Sequence, residues 1–250
     1  VGPSPEAKAL LPDVNWDGLG MDGIVIRTVG DTLILAGGRP RGTLYAVYTF
    51  LEDYVGVRWW TSRESFIPNS PDLRIAEANE VYVPTLRYRE TFNEDVSGGK
   101  YVQAARMKVN GHFSTIPESY GGHYDIMGWC HTSYGLLPPG ELFATHPDWY
   151  SQHGDARDPN GGQLCWSNVG MREELARRAL VEIARNPSAG IISISQNDWG
   201  GACTCPECKA IDDAEGSQAA SLIRGVNAVA ETIAKVYPDF LVETLAYQYT

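Results

Sequence analysis

The sequence predicts an α/β protein in two parts: a small α/β domain over residues 1–82, then a (β/α) barrel of the TIM type over residues 83–250. Three observations predict it. An alternating apolar hairpin and one helix precede Trp60, and beyond Pro84 apolar strands alternate with amphipathic helices. Polar and aromatic residues stand just past those strands, where barrel enzymes build their sites.

In the first part, Ile24, Ile26, Leu33 and Leu35 alternate around Val29-Gly30-Asp31, which predicts a hairpin that Gly37 to Gly42 then breaks. Leu44, Val47, Tyr48 and Leu51 recur at helical spacing until Gly56. Arg58-Trp59-Trp60 resumes an extended run, and Pro68 to Pro71 reads as a loop.

In the second part, Leu86–Phe92, Met107–Phe113, Ile191–Gln196 and Leu241–Tyr247 read as strands, with a further one at Tyr124–Cys130. A short helix leads into Met107, and Met171–Ala184 and Ser217–Tyr237 are amphipathic helices. Eight barrel strands need about 250 residues on their own, so the barrel is expected to be truncated at Thr250. An open doubly wound sheet is the other arrangement such alternation permits.

The formal charge of -11 argues against nucleic acid, whose binding relies on clustered Lys and Arg to displace counterions. No apolar run approaches the roughly 20 residues of a membrane span. The opening VGPSPEAKALLPDVNWDG lacks the regions of a signal peptide and has the look of a cut start, as in a mature secreted protein.

Asp198 is the first candidate for acid, base or nucleophile. It follows the apolar run Ile191 to Ser195, so it is expected at the carboxyl end of a buried strand, where partial desolvation tunes a carboxylate. Asn197-Asp198 could equally cap a turn into Gly200-Gly201. Glu90 takes the corresponding place after Leu86; two carboxylates on neighbouring strands are what glycosidic cleavage needs, although a salt bridge to Arg87 or Arg89 would also explain it. Asn197, His112 and His131 are candidate contacts for sugar hydroxyls, and Trp199 and Tyr247, in Tyr247-Gln248-Tyr249, offer rings on which a sugar can stack.

Cys203, Cys205 and Cys208 contain a CxxC pair suited to two thiolates on one metal, so zinc is the candidate ion. Cys165, Cys130 or His131 would complete a tetrahedron. Disulfides, for instance to Cys165, are the rival reading in an oxidising compartment. The pair is not expected to open a helix after a first strand, which argues against thioredoxin-like redox chemistry.

The segment DGIVIRTVGDTLILAGGRPRGTLYAVYTFLEDYVGVRWW resembles the small N-terminal domain of alpha-glucuronidases and beta-hexosaminidase-like glycoside hydrolases. THPDWYS at Thr145, GQLCWSN at Gly162, SISQNDWGGACTCPECKAID at Ser193 and LAYQYT at Leu245 resemble a bacterial family known only as a domain of unknown function. The resemblance implies an extracytoplasmic, periplasmic or secreted protein built like a glycoside hydrolase. The adjacent Asp-Glu pair of hexosaminidase-type barrels is replaced by Asn197-Asp198.

The expectation is a carbohydrate-active hydrolase acting on an oligosaccharide or polysaccharide, with Asp198 and Glu90 as carboxylates and no cofactor required. A non-catalytic carbohydrate-binding protein and a metal-dependent hydrolase using the cysteine cluster are the alternatives.

Overall fold

The computed structural model describes residues 1–245, 247 and 248, and divides into two units, Val1–Tyr124 and Asp125–Thr250. Its class is mixed α/β, with two three-stranded sheets as the largest among the described residues. Tyr249 lies outside the described residues, as does Ala246 within the expected last strand. No helix among the described residues is long and apolar enough to cross a membrane.

The first unit opens with α1 (Pro5–Leu10), capped by Ser4, and the predicted hairpin of β1 (Ile24–Val29) and β2 (Thr32–Gly37). The two strands pair antiparallel, with Ile26 opposite Leu35 and Val25 opposite Ala36. Alternation sends Ile24, Ile26 and Leu35 to one face, against Tyr45 and Ala46, and Val25, Ile34 and Ala36 to the other, against Leu11 and Leu19. The glycine run after β2 permits a backbone approach that no side chain allows: a Cβ on Gly38 would lie 1.9 Å from the Gly20 carbonyl oxygen. Helix α2 (Gly42–Thr49) follows and widens into a π turn over Phe50–Tyr54. Then come β3 (Arg58–Trp59) and β4 (Ser65–Phe66), an antiparallel pair, and β5 (Asn79–Tyr82), which pairs with β1.

Helix α3 (Tyr101–Arg106) is the short helix expected before Met107. The flanking segments Leu86–Phe92 and Met107–Phe113, expected as strands, are not strands. The Arg89 N–H donates to Asn110 Oδ1 and the Asn110 side chain donates to the Arg87 carbonyl, so side-chain bonds replace a ladder. Lys108 adopts a left-handed backbone, and a 3-10 turn over His112–Ser114 ends the run. One backbone bond, Asn110 N to Arg89 O at 2.9 Å, survives between the two segments. Buried Asp22 fastens both to the hairpin. It accepts from Arg41 Nε at 2.6 Å, from Arg89 at 2.8 Å and from Asn110 at 2.8 Å, which is the full set of partners a buried carboxylate needs. Residues 83–124 therefore pack with the first unit, although the change of sequence rhythm falls at residue 82.

The second unit begins with β6 (Ile126–Met127), α4 (Ser133–Leu136) and α5 (Pro139–Leu142). A small antiparallel pair, β7 (Gln152–His153) and β8 (Ala156–Arg157), leads to α6 (Val169–Arg185). Then follow β9 (Ile191–Ser193), α7 (Pro206–Glu215), α8 (Ala219–Ala234) and β10 (Leu241–Glu243). The three longer-range strands form a parallel sheet in the order β10-β9-β6, with Ile191 opposite both Leu241 and Ile126. Helix α6 buries Met171, Leu175, Ala179 and Ile183, and α8 buries Leu222, Val226, Val229 and Ile233, around Ile192, Ile194 and Trp166. These positions repeat every three or four residues, as the amphipathic pattern requires.

Candidate functional site

The parallel strands bring polar groups to one end of the second unit. Past β9 the chain runs Ile194-Ser195-Gln196-Asn197 fully buried before Asp198 emerges, its side chain 62% exposed. Two rings meet Asp198 there. The Tyr247 hydroxyl donates to Oδ1 at 3.0 Å, and His131 Nε2 lies 3.5 Å from the same oxygen. His131 and Tyr247 pack on each other with centroids 5.4 Å apart.

His131 is held in a definite tautomer. A carbonyl only accepts, so the 2.9 Å contact of Nδ1 with the Gln196 carbonyl makes Nδ1 a donor. A proton between Nε2 and Asp198 must then be carried either by the imidazole as imidazolium or by the carboxyl. Both Trp129 and His131 adopt left-handed backbone conformations, at φ 57 and 55, an unfavourable state for side-chain-bearing residues that the neighbouring bonds impose. Thr132 and Ser133 supply those bonds. Thr132 Oγ1 donates to Ser193 O and accepts from Ser195 N, and Ser133 Oγ donates to Ser195 O.

A second carboxylate stands on the neighbouring strand. Glu243, the last residue of β10, accepts from Ser193 Oγ at 2.8 Å through Oε1, while Oε2 is buried with no hydrogen-bond partner among the described residues. Burial pushes its carboxyl above the ordinary value of 4.5, against the opposing pull of Ser193 and His131. Burial also raises the Cys130 thiol, helped by the negative charges of Glu243 and Asp198, so both carboxylates act on the same neighbourhood. Glu243 was missed in the sequence. The signal was there, as a single acid inside the apolar run Leu241 to Leu245.

The other predicted contacts divide. Trp199 is 40% exposed, its Nε1 donating to the Gly162 carbonyl at 2.7 Å, and its ring meets Tyr134 edge-on. Asn197 is instead buried: its side chain donates to Gly162 O and accepts from Tyr134 N, so it shapes the loop and presents no amide to a ligand. Gln163, fully buried, clamps that loop. Its Nε2 donates to the carbonyls of Asn197, Trp199 and Gly200, and its Oε1 accepts from Asn197 N. Glu90 and His112 belong to the first unit. There Glu90 accepts from the Tyr88 hydroxyl and from Phe113 N, and the His112 ring packs edge-on against Phe113. Within the second unit, the carboxylate that shares the neighbourhood of Cys130 with Asp198 is Glu243. A cleft of about 750 Å³ lies along the β6 side, lined by Met127, Cys130, His131, Thr132, Arg178 and Ile192 among others, so His131 borders both the cleft and Asp198.

Behind the loop lies a candidate metal centre. Cys165, Cys203, Cys205 and Cys208 are all buried, and their sulfurs lie within 4.8 Å of one another. No cysteine is bridged, so the structure holds no disulfide to Cys165, the alternative the sequence left open, and Cys130 and His131 stand with Asp198 and not with this cluster. The CxxC pair does open a helix, contrary to expectation: Cys205 caps α7 and accepts from Cys208 N. Pro206, suited to the first helical position, produces this. It follows the strand β9 and is joined by two further thiols, unlike a redox pair. Hydrogen bonds from Cys203 and Cys208 pull the Cys165 thiol far down, and the same bonds, made as donors to Cys165, push Cys203 up to about 12 and Cys208 higher still.

The sequence matches the family described as Domain of unknown function (DUF4838) over residues 59–250. No curated protein matches the chain.

Proposed function

The chain belongs to the DUF4838 family of domains of unknown function, and on that premise we propose that it is a carbohydrate-active protein that hydrolyses a glycosidic bond of an oligosaccharide or polysaccharide. The observation that carries the reading is the pair Asp198, on the loop past β9, and Glu243, the last residue of the adjacent parallel strand β10, one carboxylate hydrated and the other desolvated. Unequal environments of this kind divide two carboxyls into an acid and a base or nucleophile. Glu243, whose protonated form burial favours, delivers its proton to the departing glycosidic oxygen. Asp198, oriented by Tyr247, takes a proton from the water that attacks the sugar carbon and passes it to His131. Trp199 and Tyr247 supply the apolar faces for the ring. Glu90, on the first unit, is not required by this reading.

The accompanying fold proposal is a partial (β/α) barrel. It is supported by neighbours that follow chain order: Arg89, Asn110 and Tyr124 are joined by backbone bonds within the first unit, and β6, β9 and β10 pair in turn within the second. Extracytoplasmic placement rests on the glycoside-hydrolase resemblance alone.

The test is a screen of glycans for product release, followed by Asp198→Asn on the responsive substrate. Loss of turnover with an unchanged circular dichroism spectrum is expected, and undiminished turnover would overturn the assignment. Calorimetric binding of glycans with no product from any of them would leave a carbohydrate-binding protein and refute hydrolysis.

A further inference from the structure

We propose that Cys165, Cys203, Cys205 and Cys208 form a closed tetrathiolate site for one zinc ion that braces the loop carrying Asp198. The proposal stands apart from the carbohydrate reading and holds or fails without it.

The geometry is that of a tetrahedron awaiting its centre. Zinc–thiolate bonds of about 2.3 Å place tetrahedral ligands about 3.8 Å apart, and Cys165 Sγ lies 3.6 Å from Cys205 Sγ and 3.9 Å from Cys208 Sγ. All four sulfurs fall within 4.8 Å of one another, each from a buried residue. Such spacing is too long for any S–S bond and too short for four ionised thiols without a cation among them.

The surroundings stabilise thiolates. Gln152 N–H donates to Cys203 Sγ at 3.3 Å, Cys208 N–H points at Cys205 Sγ at 3.5 Å, and the Ser167 hydroxyl lies 3.1 Å from Cys208 Sγ. The amino end of the ten-residue helix α7 adds its partial positive charge. A zinc ion cancels half the charge of four thiolates, and these donors offset much of the rest.

Binding exchanges four S–H protons for four Zn–S bonds: Zn²⁺ and four thiols give the tetrathiolate complex and four protons, with no change of oxidation state. Four sulfurs fill the coordination sphere, leaving no position for water, so the ion is structural and hydrolysis by this metal is not its role. What it joins is specific. Cys165 comes from the segment whose Gln163 clamps residues 197–200, Cys203 and Cys205 follow Asp198 on the same loop, and Thr204 is tied to the Gln152 carbonyl of β7.

The experiment is elemental analysis of the protein purified without chelator, on the wild type, Cys165→Ser and Cys130→Ser. About one zinc per chain is expected in the wild type and in Cys130→Ser, and a loss of at least tenfold in Cys165→Ser. Absence of zinc, iron in its place, or loss of zinc from Cys130→Ser would overturn the proposal. Should Cys165→Ser fail to fold, two measurements on the wild type decide. Cobalt exchanged into the protein should give the intense ligand-to-metal and d–d absorption of a tetrahedral thiolate complex. Denaturation with chelator and without reductant should leave five alkylatable thiols, whereas a single one would mean two disulfides and refute the site.

Discussion

The hydroxyl of Tyr247 donates to Asp198 Oδ1 at 3.0 Å, across 49 residues of sequence, and so joins the loop after β9 to the chain beyond β10. Tyr247→Phe removes only this donor. One hydrogen bond to a charged acceptor contributes about 1.5 kcal/mol, or roughly tenfold in a rate constant. We expect kcat/KM on the responsive glycan to fall by about that factor with the urea midpoint unchanged, because Asp198 is 62% and Tyr247 43% exposed. A loss of stability instead would make Tyr247 a structural residue.

Glu243 predicts a pH-dependent difference. Burial raises its carboxyl above 4.5, so the folded protein holds the proton more tightly than the unfolded chain. Wild-type stability therefore carries no penalty below about pH 4.5, loses ground as pH climbs from there, and levels off above the raised pKa. Glu243→Gln lacks that slope. Urea unfolding of the two proteins at about pH 4 and about pH 7 should show the difference shifting toward the variant at the higher pH. An equal difference at both would mean that ionised Glu243 is not penalised.

Gln163 makes four hydrogen bonds to the backbone of the Asp198 loop while fully buried. Gln163→Ala leaves those groups without partners and is expected to cost about 3 kcal/mol in denaturant unfolding. Gln163→Glu, nearly isosteric, should cost as much, since its carboxylate would face three carbonyl oxygens. Amide exchange at residues 197–200 should rise in both variants before global exchange does, and unaltered exchange there would remove Gln163 from its clamping role.

Gly225 tests the packing of α8. Alanine in a helix interior ordinarily gains about 1 kcal/mol over glycine. Here a Cβ would stand 2.9 Å from Trp166 Cε3 and 3.0 Å from the Trp166 carbonyl oxygen, against a ring that is itself buried in the core. Overpacking should win, with Gly225→Ala less stable by about 1–2 kcal/mol. A more stable variant would show that Trp166 can shift.

What was legible in the sequence was local. Alternation around Gly30 marked the hairpin, three-to-four spacing marked α6 and α8, and apolar runs marked β9 and β10, because these patterns reflect the geometry of one element against one buried face. The expected strands at Leu86–Phe92 and Met107–Phe113 misled for a physical reason: Asn110, by bonding Arg87, Arg89 and Asp22 through its side chain, claims the backbone groups that a ladder would have used.

The sequence by itself determined that Asp198 would emerge past a buried strand and that Cys203, Cys205 and Cys208 would lie close together, since both follow from neighbouring residues. Only the tertiary structure decided which groups join them. Parallel pairing of β9 with β10 sets Glu243 against Ser193, on the strand that leads to Asp198, and the segment that clamps the loop through Gln163 delivers Cys165 as the fourth sulfur. The order of strands that are far apart in the chain is an outcome of packing the whole unit, and local spacing does not specify it.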